Sequence, residues 1–138
     1  AGLNISYNRN ALLKPSKKNL KVHVALENDI AVLKLFPGIS KKITSAIINS
    51  SGVKAIVLET FGAGNATTQE WFTNELKKAI DKKIIILNIT QCSEGKVIQG
   101  MYETSSHLKK LGVIGGSDMT FESAITKLMF LLGQQLSH

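Results

Sequence analysis

A small three-layer α/β domain, with a parallel sheet of about four strands flanked by helices on both faces, is the fold class this sequence predicts. Three observations predict it. Runs rich in Ile, Val and Leu recur at Lys54–Thr60 and Ile84–Thr90, the composition of strands buried on both faces. Between and after them lie segments whose apolar residues repeat at helical spacing. Strands separated by helices also need crossover connections, which are right-handed and build a parallel sheet.

Taken in order, residues 1–20 place Asn4, Asn8, Asn10, Pro15 and Asn19 among lysines with weak periodicity. They read as an inter-domain linker, leaving 21–138 as the folded domain. Lys21–Leu26 alternates and Ile30–Phe36 is apolar; Glu27-Asn28-Asp29 separates them and Pro37-Gly38 closes the second, so both are strand candidates. Ser40 can cap a helix with apolar Ile43, Ala46 and Ile47, which Ser50-Ser51-Gly52 stops. The strand Lys54–Thr60 runs into Phe61-Gly62-Ala63-Gly64-Asn65-Ala66. Thr67-x-x-Glu70 then reads as a capping box opening a helix with Phe72, Leu76, Ala79 and Ile80 inside. Ile84–Thr90 is the next strand, with no polar residue before Asn88, and Gln91–Gln99 is loop-like. Thr104–Lys110 is a short helix and Val113-Ile114 a short strand before Gly115-Gly116. Thr120 caps a last helix striped with Ala124, Ile125, Leu128, Met129, Leu131 and Leu132.

The composition narrows the function. At 138 residues, 43 % apolar and 20 % charged, the chain has ordinary globular usage and enough length for one core. No apolar run approaches the roughly 20 residues of a membrane-spanning helix, and the opening lacks the basic, apolar, small-residue succession of a signal peptide. Neither membrane nor export is expected. The one cysteine, Cys92, excludes an intramolecular disulfide and suits a reducing cytoplasm. His23, His107 and His138 are too dispersed for a local ligand motif, so no metal site is expected. The net charge of +7 is densest at Lys14, Lys17, Lys18 and Lys21. These lysines lack interleaved aromatics for stacking bases, so they read as a solvated surface and no nucleic-acid partner is expected.

Chemistry in an open parallel sheet sits beyond the carboxyl ends of the strands. Two loops lie there. Gly62–Thr67 can bring backbone to a helix N-terminus and hold an anion, or its glycines can simply make a tight turn. It nearly spells a dinucleotide fingerprint, but Thr67 stands for the third glycine and Asn88-Ile89-Thr90 supplies no acid for a ribose. Thr90–Lys96 follows the neighbouring strand, so the two loops can share a pocket. Cys92 there has no histidine placed as its base and reads as a small apolar group before it reads as a nucleophile. Tyr102 and Glu103 read as rim packing, and Gly115-Gly116-Ser117-Asp118 as an anion cradle or the turn into the last helix. No hydrolase triad is readable.

Four ordered segments go further: Ile56–Ala66, Ile89–Val97, Gly112–Thr120 and Glu122–Leu128, preceded by Phe36-Pro37-Gly38-Ile39-Ser40. In order and spacing they resemble the C-terminal half of type I L-asparaginases, and the likeness covers nearly the whole chain. It implies hydrolysis of L-asparagine to L-aspartate and ammonia in the cytoplasm, without metal or organic cofactor, by a dimer or dimer of dimers. In that family the nucleophile and its Thr-Asp-Lys activating group come from an N-terminal domain with Thr-Gly-Gly-Thr and Asp-Gly-Thr motifs. Neither motif occurs here, so the resemblance implies no catalytic residue in this chain and no turnover by it alone. The opening Ala1-Gly2-Leu3 looks like the tail of that N-terminal domain.

What the resemblance leaves to this chain is positioning. It implies that Asn65 and Tyr102 lie near substrate bound in the adjacent subunit. It also implies an allosteric asparagine site at Glu59, Phe61, Gly62, Asn65, Thr90 and Cys92. Regulated bacterial members are expected to carry a basic residue where this chain has Glu59, which repels a carboxylate and can accept an amino group. The alternative is a non-catalytic amino-acid-binding or regulatory module of the same ancestry.

Overall fold

A computed structural model of the protein describes residue 7 and residues 9–98, 100 and 103–134, with 103–105 described by backbone alone. The elements run β1 (Ile30–Lys34), α1 (Lys41–Ile48), β2 (Ala55–Thr60), α2 (Glu70–Asp81), β3 (Ile85–Thr90), α3 (Glu103–Leu111), β4 (Ile114–Gly115) and α4 (Phe121–Gly133). The strands form one parallel sheet in sequential order, β1-β2-β3-β4. Successive crossovers of one hand, stepping in one direction, place their helices on one face. Only α4, which follows the last strand, remains to cover the other.

Strand periodicity divides the core accordingly. Leu33, Ile56, Leu58 and Ile86 pack with Ile48 of α1, Phe72, Leu76 and Ala79 of α2, and Leu108 of α3. Ala55, Val57, Leu87 and Ile89 pack with Ala124 and Leu128 of α4. Both faces of β2 and β3 are therefore covered, which is why their sequences are nearly continuous apolar runs. At about 1.5–3 kcal/mol for each fully buried large side chain, these two layers are the main source of stability.

The expected three-layer sheet of four strands is the observed one, and four local expectations are corrected. Lys21–Leu26 joins no sheet. It crosses the end of α4 instead: Gln134 Nε2 donates to Ala25 O at 3.0 Å and Glu27 N to Met129 O at 2.9 Å. Gly133 permits the crossing, since a Cβ there would collide with Ala25 O. The alternation is real, but Val22 and Val24 face outward, 72 % and 87 % exposed.

In α1, Ser40 Oγ accepts from Ile43 N as expected, yet the buried pair is Thr44 and Ile48, while Ile43 and Ala46 are exposed. Hydropathy favours Ile43 over Thr44; the helix rotation, one position away, does the opposite. The capping box does not form. Helix α2 starts at Glu70, the side chain of its N-cap Gln69 caps no backbone N–H and accepts instead from Trp71 Nε1, and Thr67 Oγ1 closes only a local turn by accepting from Gln69 N at 3.3 Å. Finally, β4 is shifted by one residue, because Val113 is buried while Ile114 and Gly115 make the ladder.

Candidate functional site

The carboxyl ends of β2 and β3 carry two interlocked loops. At the end of β2, Phe61 N donates to Asn65 O at 2.9 Å and Asn65 N to Phe61 O at 2.8 Å, closing a tight antiparallel bridge around Gly62–Gly64. Two features favour glycine in that bridge. Gly62 and Gly64 lie at φ +49° and +102°, and a Cβ on Gly64 would approach Val97 Cγ1 to 2.8 Å.

Three successive carbonyls of this loop turn inward and are bound. Thr90 Oγ1 donates to Gly62 O at 2.6 Å, Ile98 N to Ala63 O at 3.1 Å and Asn88 Nδ2 to Gly64 O at 3.4 Å. Asn88 is fully buried, and its Oδ1 accepts from the equally buried Thr60 Oγ1 at 2.7 Å. Asn65, half-buried, follows directly, with its Nδ2 3.9 Å from where a Cβ on Gly62 would stand.

The second loop is tied to the first and to the rest of the sheet. Thr90 Oγ1 also accepts from Cys92 N at 3.1 Å, and Gln91 Nε2 donates to Leu35 O at 2.6 Å and Glu59 O at 3.0 Å. Behind it, Gly116 N donates to Asn88 O at 2.7 Å and Val97 N to Ser117 O at 2.8 Å. On the α4 side these residues enclose an open cleft of about 260 Å³, lined by Glu59, Thr90, Gln91, Cys92, Asp118 and the first turn of α4. Thr120 caps that turn, accepting from Ser123 N at 3.3 Å. Sequential strand order offers no reversal to open a crevice; the cleft forms where the chain passes from β4 to α4 on the opposite face.

Of the candidate residues, Glu59, Thr90 and Cys92 line the cleft, while Phe61, Gly62 and Asn65 form the adjoining loop. The Thr90–Gly62 bond joins the two groups. Tyr102 lies outside the described residues. Cys92 is a free, exposed thiol, and among the described residues no histidine lines the cleft. Glu59 is mostly buried, with Oε1 3.9 Å from Lys34 Nζ. Among the described residues no His, Cys, Asp and Glu gather in a group that could hold a metal ion. No described helix is long and apolar enough to cross a membrane.

Sequence reasoning placed Gln91, Asp118 and Thr120 in the right loops but assigned none of them to the site, and it missed the Thr60–Asn88 pair. Asn88 carried a signal, as the single amide in an apolar strand. The arrangement can position a small polar molecule, with amide and carboxylate groups over a helix start.

Residues 29–138 match the family described as the glutaminase/asparaginase C-terminal domain. The chain is 43 % identical over 117 residues to L-asparaginase 1 of Escherichia coli (strain K12), covering 85 % of this chain and 34 % of that protein. It is 37 % identical over 134 residues to the 60 kDa lysophospholipase of Homo sapiens, covering 96 % of this chain and 23 % of that one. Its fold superposes on L-asparaginase I from Vibrio cholerae O1 biovar eltor with a TM-score of 0.85 and 38 % identity, over 99 % of this chain and 41 % of that one. The chain thus spans about a third of the length of the E. coli protein it matches.

Proposed function

Because the chain belongs to the glutaminase/asparaginase C-terminal domain family, we propose that it is the C-terminal domain of a type I L-asparaginase, whose whole protein converts L-asparagine and water to L-aspartate and ammonia. In this reading residues 1–20 lead in from a preceding domain that carries the nucleophilic threonines. Residues 21–138 complete a neighbouring subunit's active site, in a cytoplasmic dimer or dimer of dimers.

The observation that carries the reading is the braced loop ending at Asn65. Its carbonyls are held from beneath, so the asparagine amide is offered from a fixed backbone. An amide donates and accepts, which suits a substrate bearing both a carboxylate and an ammonium group. Its contribution is orientation of the substrate, with bond-making left to the threonines. The adjoining cleft is the place for a regulatory amino acid; Glu59 there receives an amino group and repels a carboxylate.

The test compares the purified chain with the whole protein that includes the preceding domain, by ammonia release from L-asparagine. The chain alone should fold and release none, since it holds neither threonine motif. The whole protein should be active at neutral pH in the presence of a chelator. Turnover by the chain alone overturns the reading. So does a whole protein that binds L-asparagine without hydrolysing it, which would instead mark a non-catalytic amino-acid-binding module.

A further inference from the structure

The Thr60–Asn88 pair has no evident use in the sheet itself. Both residues are fully buried, and Asn88 stands where its neighbours Ile86, Leu87 and Ile89 fill the core with hydrocarbon. A buried primary amide costs stability unless its donors and acceptor are matched. Here they are matched in one sense only. Thr60 Oγ1 lies 2.7 Å from Asn88 Oδ1 and 3.2 Å from Ile89 O, and both are acceptors for its single proton. Gly64 O, 3.4 Å from Asn88 Nδ2, can only accept, so it holds the amide nitrogen and leaves the oxygen to accept from Thr60. No flipped amide satisfies these groups.

The bond lands on the residue before Asn65. It draws the Gly64 carbonyl inward, where the missing Cβ lets Asn88 Nδ2 and Val97 close over the peptide. With the Gly64 carbonyl fixed, the Gly64–Asn65 peptide plane is fixed as well. Asn65 N then points at Phe61 O, to which it donates at 2.8 Å.

We propose that Asn88, oriented by Thr60, is a positioning residue that sets Asn65 for substrate from inside the core. This rests on the reading of Asn65 as a substrate contact, and it assigns the aim of that contact to a hydrogen-bond relay two residues deep. Thr60→Val removes the relay's donor at almost constant shape, Thr60→Ser keeps it, and Asn88→Leu removes the amide.

The experiment is a double-mutant cycle on the whole protein, reading kcat/KM for L-asparagine on folded fractions. With Asn65 present, Thr60→Val and Asn88→Leu should each lower kcat/KM about tenfold, and Thr60→Ser should restore most of it. In the Asn65→Ala background the same substitutions should lower it by less than about twofold, because nothing is left to aim. A structural role alone would give equal losses in both backgrounds, and that result overturns the proposal. Should Asn88→Leu fail to fold, the two Thr60 variants complete the cycle. If Asn65→Ala itself leaves kinetics unchanged, the substrate-contact reading and this proposal fall together. If Asn65→Ala lowers kcat/KM while Thr60→Val adds to it in full, only this proposal falls.

Discussion

Substituting Gly64 by alanine tests the architecture of the loop most directly, because two independent penalties meet at one atom. The residue lies at φ +102°, outside the ordinary range of an L-residue, and holding alanine there costs about 1–3 kcal/mol. The added Cβ would also approach Val97 Cγ1 to 2.8 Å and Asn88 Nδ2 to 3.3 Å. Val97 is buried, so its methyl cannot swing into solvent, and relieving such overpacking costs about 1–3 kcal/mol more. The total, about 2–6 kcal/mol, is a large part of the roughly 5–15 kcal/mol of a typical domain.

Urea denaturation of the purified chain measures it. With a slope of about 1–3 kcal/mol per molar, the midpoint should fall by at least roughly 0.7 M. Val97→Ala then separates the two causes. It should cost about 1 kcal/mol less in the Gly64→Ala background than in the native one, since it removes the methyl that is struck. A Gly64→Ala change within about 0.5 kcal/mol of native would refute the loop conformation described above. Zero coupling to Val97 would leave backbone strain as the whole cause and refute the steric half.

The remaining predictions concern caps, charge and the substrate contact. Ser40→Ala should lower stability by about 1 kcal/mol in the same denaturation assay, whereas Thr67→Ala should cost much less, because only Ser40 caps its helix with a side chain. The Glu75 carboxyl is buried, and the hydrogen bond from Lys78 holds it below its ordinary pKa of 4.5. The unfolded chain therefore takes up the proton first, so this stabilisation is intact above about pH 4.5 and is lost as pH falls through the lowered folded value. Glu75→Gln should flatten part of the acid limb of a stability–pH curve; Glu27, lowered by its bond from Lys54, keeps the rest. Asn65→Ala in the whole protein should lower kcat/KM roughly five- to a hundredfold, about 1–3 kcal/mol, with the melting temperature nearly unchanged. A fall in melting temperature with native kinetics would remove Asn65 from the site.

Strands β2 and β3 were legible because burial on both faces writes itself as uninterrupted Ile, Val and Leu, and α2 and α4 because their stripes meet that sheet. Elsewhere the sequence held a true local pattern whose partner it did not name. Val22 and Val24 alternate as a strand would, but Ala25 and Glu27 spend their backbone groups on the end of α4. Ile43 has the hydropathy of a core residue, and Thr44 has the position. Thr67 and Glu70 have capping-box spacing, yet the helix begins two residues later than that box requires. For the candidate site, two adjacent loops were predictable from strand order. Their coupling was not, since Thr90 reaching Gly62 and Asn88 reaching Gly64 are contacts over 28 and 24 residues that no periodicity encodes.

That coupling has a consequence for how the site should respond to pH. The groups that brace the Asn65 loop are Thr60, Asn88 and Thr90 side chains and the peptides of Gly62, Ala63, Gly64 and Ile98, all of them neutral at any pH an enzyme experiences. Glu59, one residue before Thr60 on β2, belongs to the opposite face, where it lines the cleft beside α4. Disturbing the brace therefore alters where an amide stands without altering the charge of anything near it. A Thr60→Val variant should show the kcat/KM–pH profile of the native whole protein, lowered in amplitude and unmoved along the pH axis. An apparent pKa displaced by more than about half a unit, some 0.7 kcal/mol, would mean that the brace acts on an ionising group, and orientation of Asn65 would no longer explain it.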